Sequence, residues 1–265
     1  MKRVIVALSG GKASAYCAWW ALNNFEKDKV IFYFNDTKWE HPDLYRFISE
    51  LSQKLNHEIT EDSDGRNPEE LFFDNHALAN NRMPFCSRIL KAERLQKFFK
   101  EGDTIIFGIA NNEEKRAISI VGAYQKACAK YNKYLDKIIF PLLQENINMG
   151  QIDELLNKMD IKQPELYNLG FTHNNCYGGC VRAGKLHWKM LFEKIPEVYL
   201  SREQTEEKFN EKFKDGFGGE IHTILKNITL KDFRRKIENR SLPAMYYKDD
   251  QLTLGECFGI CNSKA

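Results

Sequence analysis

The sequence predicts an α/β fold: a doubly wound, mostly parallel sheet followed by a C-terminal helical region that carries cysteines. Three observations predict it. Short runs rich in Ile, Val and Phe alternate with helical patterns through the first half of the chain. Those runs are almost continuously apolar, as strands covered on both faces require. Beyond residue 145 the strand signals fade, and helical patterns are separated by Gly- and Asn-rich loops.

The predicted strands are Val4–Leu8, Val30–Phe34, Thr104–Ile109 and Lys137–Phe140. Between them lie helical patterns over Ser14–Asn23, Pro42–Leu55, Arg88–Lys100 and Glu113–Lys130. Asn67-Pro68-Glu69-Glu70 offers a further helix start: a cap, a proline at the first helical position and an acid three residues after the cap. Later helices are expected over Gln151–Met159, Gly184–Ile195, Glu203–Phe213 and Lys231–Asn239, the last capped by Thr229 with Asp232 three residues on. The division is therefore an α/β domain, residues 1–145, and a helical region, residues 146–265, packed on the sheet through loops such as "GFTHNNCYGGC" and "DGFGGE". The basic run "KDFRRKIENR" reads as a solvated helix face.

With 43% hydrophobic and 29% charged residues, a packed core is expected. A net charge of +2 gives no support to an RNA or DNA partner. No apolar run approaches the ~18 residues of a membrane span, and Met1-Lys2-Arg3-Val4 runs straight into a strand pattern, so a cytoplasmic location is expected. The seven cysteines are Cys17, Cys86, Cys128, Cys176, Cys180, Cys257 and Cys261. An odd count argues against a secreted disulfide framework. Cys17 and Cys128 fall inside apolar helical patterns and are expected in the core; the other five lie beside Pro, Gly and Asn, where loops are expected.

Ser9-Gly10-Gly11-Lys12-Ala13-Ser14 stands between the first strand and a helix. A strand, a glycine turn and a helix start gather free backbone N–H groups where the helix dipole favours an anion. Glycines let the backbone approach a phosphate, Lys12 adds a mobile charge, and the hydroxyls add donors. The spacing matches neither the Walker A nor the dinucleotide-binding pattern.

This stretch resembles the SGGxDS pyrophosphate loop of the PP-loop ATP pyrophosphatases, the adenine nucleotide alpha-hydrolase-like superfamily. Ala13 stands where that loop usually has aspartate. The chain further resembles the phosphoadenosine phosphosulfate (PAPS) reductase-like branch. Phe34-Asn35-Asp36-Thr37 with Glu40, Pro42 and Tyr45 is similar to its "DTG…E…P…Y" element. Phe85-Cys86-Ser87-Arg88-Ile89-Leu90-Lys91 is similar to "CCTRxLK", and Gly108-Ile109 with Glu113 and Arg116 to "GxRxxExxxR". Cys176 and Cys180 fall where that branch carries a late cysteine pair. Phe85 replaces a first cysteine, and Ala110 replaces an arginine usual in sulfonucleotide reductases.

The resemblance implies an ATP site built from Ser9, Gly10, Gly11, Lys12, Ser14, Asp36, Thr37, Gly108, Glu113 and Arg116, with adenine against the end of the second strand. It implies activation by adenylation: a substrate oxygen attacks the α-phosphorus and pyrophosphate leaves. Such chemistry needs charge stabilisation more than a strong base. Lys12 and the turn N–H groups would supply it, and Asp36 would hold Mg²⁺.

Cys176-x-x-x-Cys180 and Cys257-x-x-x-Cys261 share a spacing, with glycine between the sulfurs, and Cys86 adds a fifth thiol. Thiolates in this pattern suit zinc or an iron–sulfur cluster; free loop cysteines and a redox dithiol are the other readings. The resemblance favours a 4Fe-4S cluster on Cys86, Cys176 and Cys180, with Cys257 or Cys261 completing the set. The cysteine loops are then expected to precede helix N-termini, which would lower the thiol pKa. Zinc on the two CxxxC pairs is the rival arrangement. His173 and His187 are expected to pack or hydrogen-bond rather than ligate.

Three functional classes follow. The first is an AMP-forming enzyme transferring sulfur to a nucleobase or another small acceptor, served by a sulfur-donor or reductase protein. The second is a sulfonucleotide (PAPS/APS) reductase, against which Ala110 and the tail "ECFGIC" count. The third is a non-catalytic nucleotide-binding subunit.

Overall fold

The computed structural model describes residues 2–216 and 218–247. Its strands are β1 (Val4–Leu8), β2 (Val30–Asp36), β3 (Ile59–Ser63), β4 (Thr104–Phe107) and β5 (Lys137–Ile139). They form one five-stranded sheet in the order β3-β2-β1-β4-β5, and every pairing is parallel. The chain builds outward from β1 to β3, then returns to the other side of β1 for β4. That reversal falls at the carboxyl ends of β1 and β4, the place where doubly wound sheets bind ligands. Register brings those ends level: Leu8 pairs with Phe34 and Ala7 with Phe107.

The helices are α1 (Lys12–Asn24), α2 (Pro42–Leu55), α3 (Pro68–Asp74), α4 (Phe85–Ser87), α5 (Glu93–Phe98), α6 (Glu114–Tyr131), α7 (Pro141–Gln144), α8 (Met149–Lys158), α9 (Glu165–Asn168), α10 (Lys185–Lys194), α11 (Pro196–Phe213) and α12 (Leu230–Glu238). The side chains of β1 alternate between two cores. Val4, Val6 and Leu8 pack with α1, α2 and α8, whereas Ile5 and Ala7 pack with α5 and α6. A third core joins Trp39, Phe72, Cys86 and Leu90 to Phe171, Trp188, Tyr199, Phe209 and Phe233. It binds the α3–α5 region to the C-terminal helices.

The predicted caps are present. Asn67 Oδ1 accepts from the Glu70 N–H and Glu70 accepts from the Asn67 N–H, and Thr229 accepts from the Asp232 N–H. Besides the short helices α7 and α9, which the sequence did not announce, three elements differ from the sequence expectation. β3 is additional: an edge strand reading Ile-Thr-Glu-Asp-Ser, half exposed, it has too few apolar residues to announce itself. The expected Arg88–Lys100 helix is instead α4, a π turn over Arg88–Ala92, and α5. Cys86 therefore lies inside the first helical turn, not in the loop before it. The helix expected at Glu203 begins at Pro196, with proline at its first position. Among the described residues no helix is long and apolar enough to cross a membrane.

Candidate functional site

The turn after β1 closes on itself through hydroxyls. Ser14 Oγ donates to the Gly11 carbonyl at 2.9 Å and accepts the Ser9 N–H at 3.1 Å, while Ser9 Oγ accepts the Gly11 N–H at 3.3 Å. Gly10 has φ +78°, and a Cβ there would meet the Leu44 side chain at 2.6 Å. Gly108 follows β4 and abuts the first turn of α1. A Cβ on it would fall 2.7 Å from the Ala13 carbonyl carbon and from the Ser14 nitrogen. Ser9, Gly10, Gly11, Lys12, Ser14 and Gly108 are thus contiguous at the switch point of the sheet, where residues 9–14 are buried. Glu113 and Arg116 sit beyond it, paired at 2.8 Å, with Glu113 also accepting the Ala110 N–H.

At the end of β2, Asp36 Oδ1 accepts from the Lys38 N–H and the Tyr45 hydroxyl, at 2.7 and 2.8 Å. Burial, then the nearby Asp36 carboxylate, push the Tyr45 phenol pKa up, so it remains a donor. Thr37 donates to Glu40 Oε1 at 2.9 Å. Glu40 is fully buried and pairs with Lys91 at 3.1 Å. The π turn carries Lys91 inward. Isolated burial would be costly for either charge, so the pair is an obligate one.

Cys86, Cys176 and Cys180 line a single cavity with Thr37, Trp39 and Lys91. The chain is left-handed at Cys176, Tyr177 and Gly178, with φ of 54°, 53° and 76°. That turn lets the Cys176 and Cys180 thiols hydrogen-bond each other. The bond, burial and the Cys180 and Glu40 charges push the Cys176 thiol pKa up, opposite to the lowering expected from helix N-termini. Arg202 of α11 backs the cavity: its guanidinium carbon lies 3.4 Å over the Trp39 ring, and its Nε has no hydrogen-bond partner among the described residues. Burial lowers its pKa to about 10.

His173 and His187 stack at 4.9 Å behind the cysteine turn. His187 Nε2 donates to the Gly178 carbonyl at 2.7 Å, and His173 Nδ1 accepts the Asn175 N–H. Burial holds both imidazoles neutral, His187 down at about 4. They support the turn, as expected from the sequence.

Three consecutive residues join the two halves of the site. Asn174 donates to the Gly10 carbonyl at 2.9 Å, Asn175 accepts from Lys91 at 3.4 Å, and the Cys176 N–H donates to Glu40 Oε2 at 2.7 Å. The glycine turn, the Glu40–Lys91 pair and the cysteine cavity are therefore one hydrogen-bonded unit. A family model for the phosphoadenosine phosphosulfate reductase domain matches residues 3–181, from β1 through Cys180. The chain belongs to this family. It is a member of the PP-loop adenine nucleotide alpha-hydrolase-like superfamily of nucleotide-binding proteins. No curated protein matches the sequence.

In this PAPS reductase-domain chain, sequence reasoning missed Asn174, Asn175 and Arg202, and also Asp153, Gln163 and Tyr167, which meet Lys12. The Asn pair lay in a stretch read only as loop, and the others carry no local pattern. Cys17 is in the core beside α1 and α2 as expected; Cys128 is partly buried against the core on the other face of the sheet. Cys257 and Cys261 lie outside the described residues. The three thiols match a soft metal in chemistry and share one cavity. Their arrangement does not yet match it: among the described residues no three His, Cys, Asp or Glu side chains are placed to hold an ion. The cavity, about 20 Å³, has room for about one water.

Proposed function

We propose that the chain binds ATP on the Ser9–Ser14 turn and activates a small acceptor by adenylation, beside cysteines that handle sulfur. The observation that carries this reading is the Asn174–Asn175–Cys176 bridge, which couples the phosphate turn to the thiol cavity through direct hydrogen bonds. An acceptor oxygen attacks the α-phosphorus, the bond to the β-phosphate oxygen breaks, and pyrophosphate leaves. A sulfur nucleophile then displaces AMP from the activated carbon. The turn N–H groups and Lys12 bear the charge on the departing pyrophosphate. Gly108 keeps the first turn of α1 close enough to β4 for the two strand ends to form one cradle.

Asp36 Oδ2 makes no hydrogen bond among the described residues, and through it Asp36 would hold Mg²⁺, whose hard charge offsets the phosphates. A 4Fe-4S cluster, or zinc in its place, is proposed for the Cys86, Cys176 and Cys180 cavity with Cys257 or Cys261. The acceptor is proposed to be a nucleobase or a similar small molecule, with a separate sulfur-donor or reductase protein.

Incubation with radiolabelled ATP and candidate acceptors tests the reading. Acceptor-dependent release of pyrophosphate and AMP is the expected result. Sulfite release from an adenylyl sulfate would instead identify a sulfonucleotide reductase, and binding without turnover a nucleotide-binding subunit. Lys12→Ala and Gly11→Val should each weaken ATP binding, by loss of charge and by blocked backbone approach. Unchanged affinity in both would remove the pocket assignment. Anaerobic purification with iron, sulfide and zinc analysis tests the metal; Cys86→Ser and Cys180→Ser should abolish it, and Cys17→Ser should not.

A further inference from the structure

The charge that a phosphate would seek on this turn already has a partner. Lys12 Nζ lies 2.6 Å from Asp153 Oδ1 and 3.1 Å from Gln163 Oε1, over the Tyr167 ring at 4.7 Å. The Tyr167 hydroxyl accepts the Lys12 N–H at 3.4 Å, at the start of α1. Gly11 supplies that helix with no side-chain cap, and its first turn contains no acid. The carboxylate that meets Lys12 is thus brought from a segment 141 residues away.

The segment is firmly seated, but its carboxylate is not. Ile152 and Leu156 anchor α8 in the core beside α1. Arg46 of α2 donates to the Lys162 and Gln163 carbonyls, and Asp43 accepts the Glu165 N–H at 2.8 Å. The Lys12 side chain is 9% exposed, whereas that of Asp153 is 44% exposed. Asp153 can rotate into water without disturbing the helix that bears it. Lys12 cannot leave the site.

We infer that Asp153 is an intramolecular competitor for the phosphate: it neutralises Lys12 while the turn is empty, gives way to a polyphosphate, and returns as pyrophosphate departs. The inference rests on the nucleotide reading above and adds to it a residue that sets affinity and eases product release. A carboxylate retained beside an incoming phosphate would repel it, so the two occupy Lys12 in turn. A half-exposed pair is weak enough to be exchanged at each turnover.

Calorimetric titration of inorganic pyrophosphate and of ATP into the wild type, Asp153→Asn and Asp153→Glu tests this. Removing the competitor should tighten both ligands about fivefold in Asp153→Asn. Asp153→Glu, which keeps the charge, should stay near the wild type, and matched thermal melts should show all three folded. Stopped-flow measurement should show slower pyrophosphate release from Asp153→Asn. Equal or weaker binding by Asp153→Asn would overturn the inference and leave the nucleotide site standing. Failure of all three proteins to bind either ligand, or undiminished binding by Lys12→Met, would overturn the nucleotide reading and the inference with it.

Discussion

Two lysines stand at the carboxyl edge of the sheet, and their partners separate two kinds of site. Lys12, on the glycine turn, faces a carboxylate that is nearly half in water. Lys91, on the cysteine cavity, faces Glu40, which has no exposed side-chain surface and also holds Thr37 and the Cys176 N–H. The first pair can be exchanged for a ligand at little cost. The second cannot open without stranding a charge in the interior, so it fixes geometry. A cation in a motif is a candidate ligand-binder only when its partner can reach solvent.

The sharpest break of this comparison is Lys91→Met. It leaves Glu40 buried and unpaired, and should cost about 3–5 kcal/mol in urea denaturation. Similar losses from Lys91→Met and Lys12→Met would erase the distinction.

Glu206 extends the comparison to a buried carboxylate that forms no ion pair among the described residues. It accepts the Ile224 and Leu230 N–H groups at 2.8 and 2.5 Å, yet burial pushes its pKa from 4.5 up to about 7. The native state therefore binds more protons than the unfolded chain between those values. The resulting stability is full below pH 4.5 and is lost as pH rises toward 7, an effect of about 3 kcal/mol. Melting curves across that range should show the loss, and Glu206→Gln should flatten it; a slope retained in the variant would assign it elsewhere.

Two glycines refine the picture of the turn. Gly108→Ala drives a Cβ into the backbone of Ala13 and Ser14, and should cost about 1–3 kcal/mol while weakening ATP binding. Gly122 lies within α6 with open space around it, and Gly122→Ala should stabilise by about 0.5–1 kcal/mol. If the two alanines behaved alike, close approach at Gly108 would not be what shapes the cradle. The smallest effect is Asp153→Asn on stability, within about 1 kcal/mol by chemical denaturation, because its pair is partly solvated.

What was legible in the sequence was what local chemistry dictates. The glycine turn needs its strand, its small residues and its helix start side by side, and the caps at Asn67 and Thr229 need only a few residues. The apolar runs of β1, β2 and β4 announce strands because both faces are covered, and the edge strand β5 is marked only by Ile138 and Ile139. β3 is at the edge, where polar residues are tolerated, and it passed unnoticed. Glu40 and Lys91 were visible as letters of separate motifs, but nothing in their spacing said they form one buried pair. Asp153, Tyr167 and Asn174 owe their roles to contacts made 141 to 164 residues along the chain. No window of sequence contains such contacts.

Those separations also set a schedule. Every strand is complete by Ile139, yet Asn174 and Cys176, which tie the turn to the cysteines, come later in the chain. During synthesis at roughly 5–20 residues per second, the emerging sheet spends seconds with its phosphate turn uncovered. Long-range closures are also the slow part of folding once the chain is whole. A polyphosphate met in that interval would find Lys12 before Asp153 does. If the turn binds phosphate as proposed, the nascent chain would carry its ligand-binding lysine before the carboxylate that competes for it has been made.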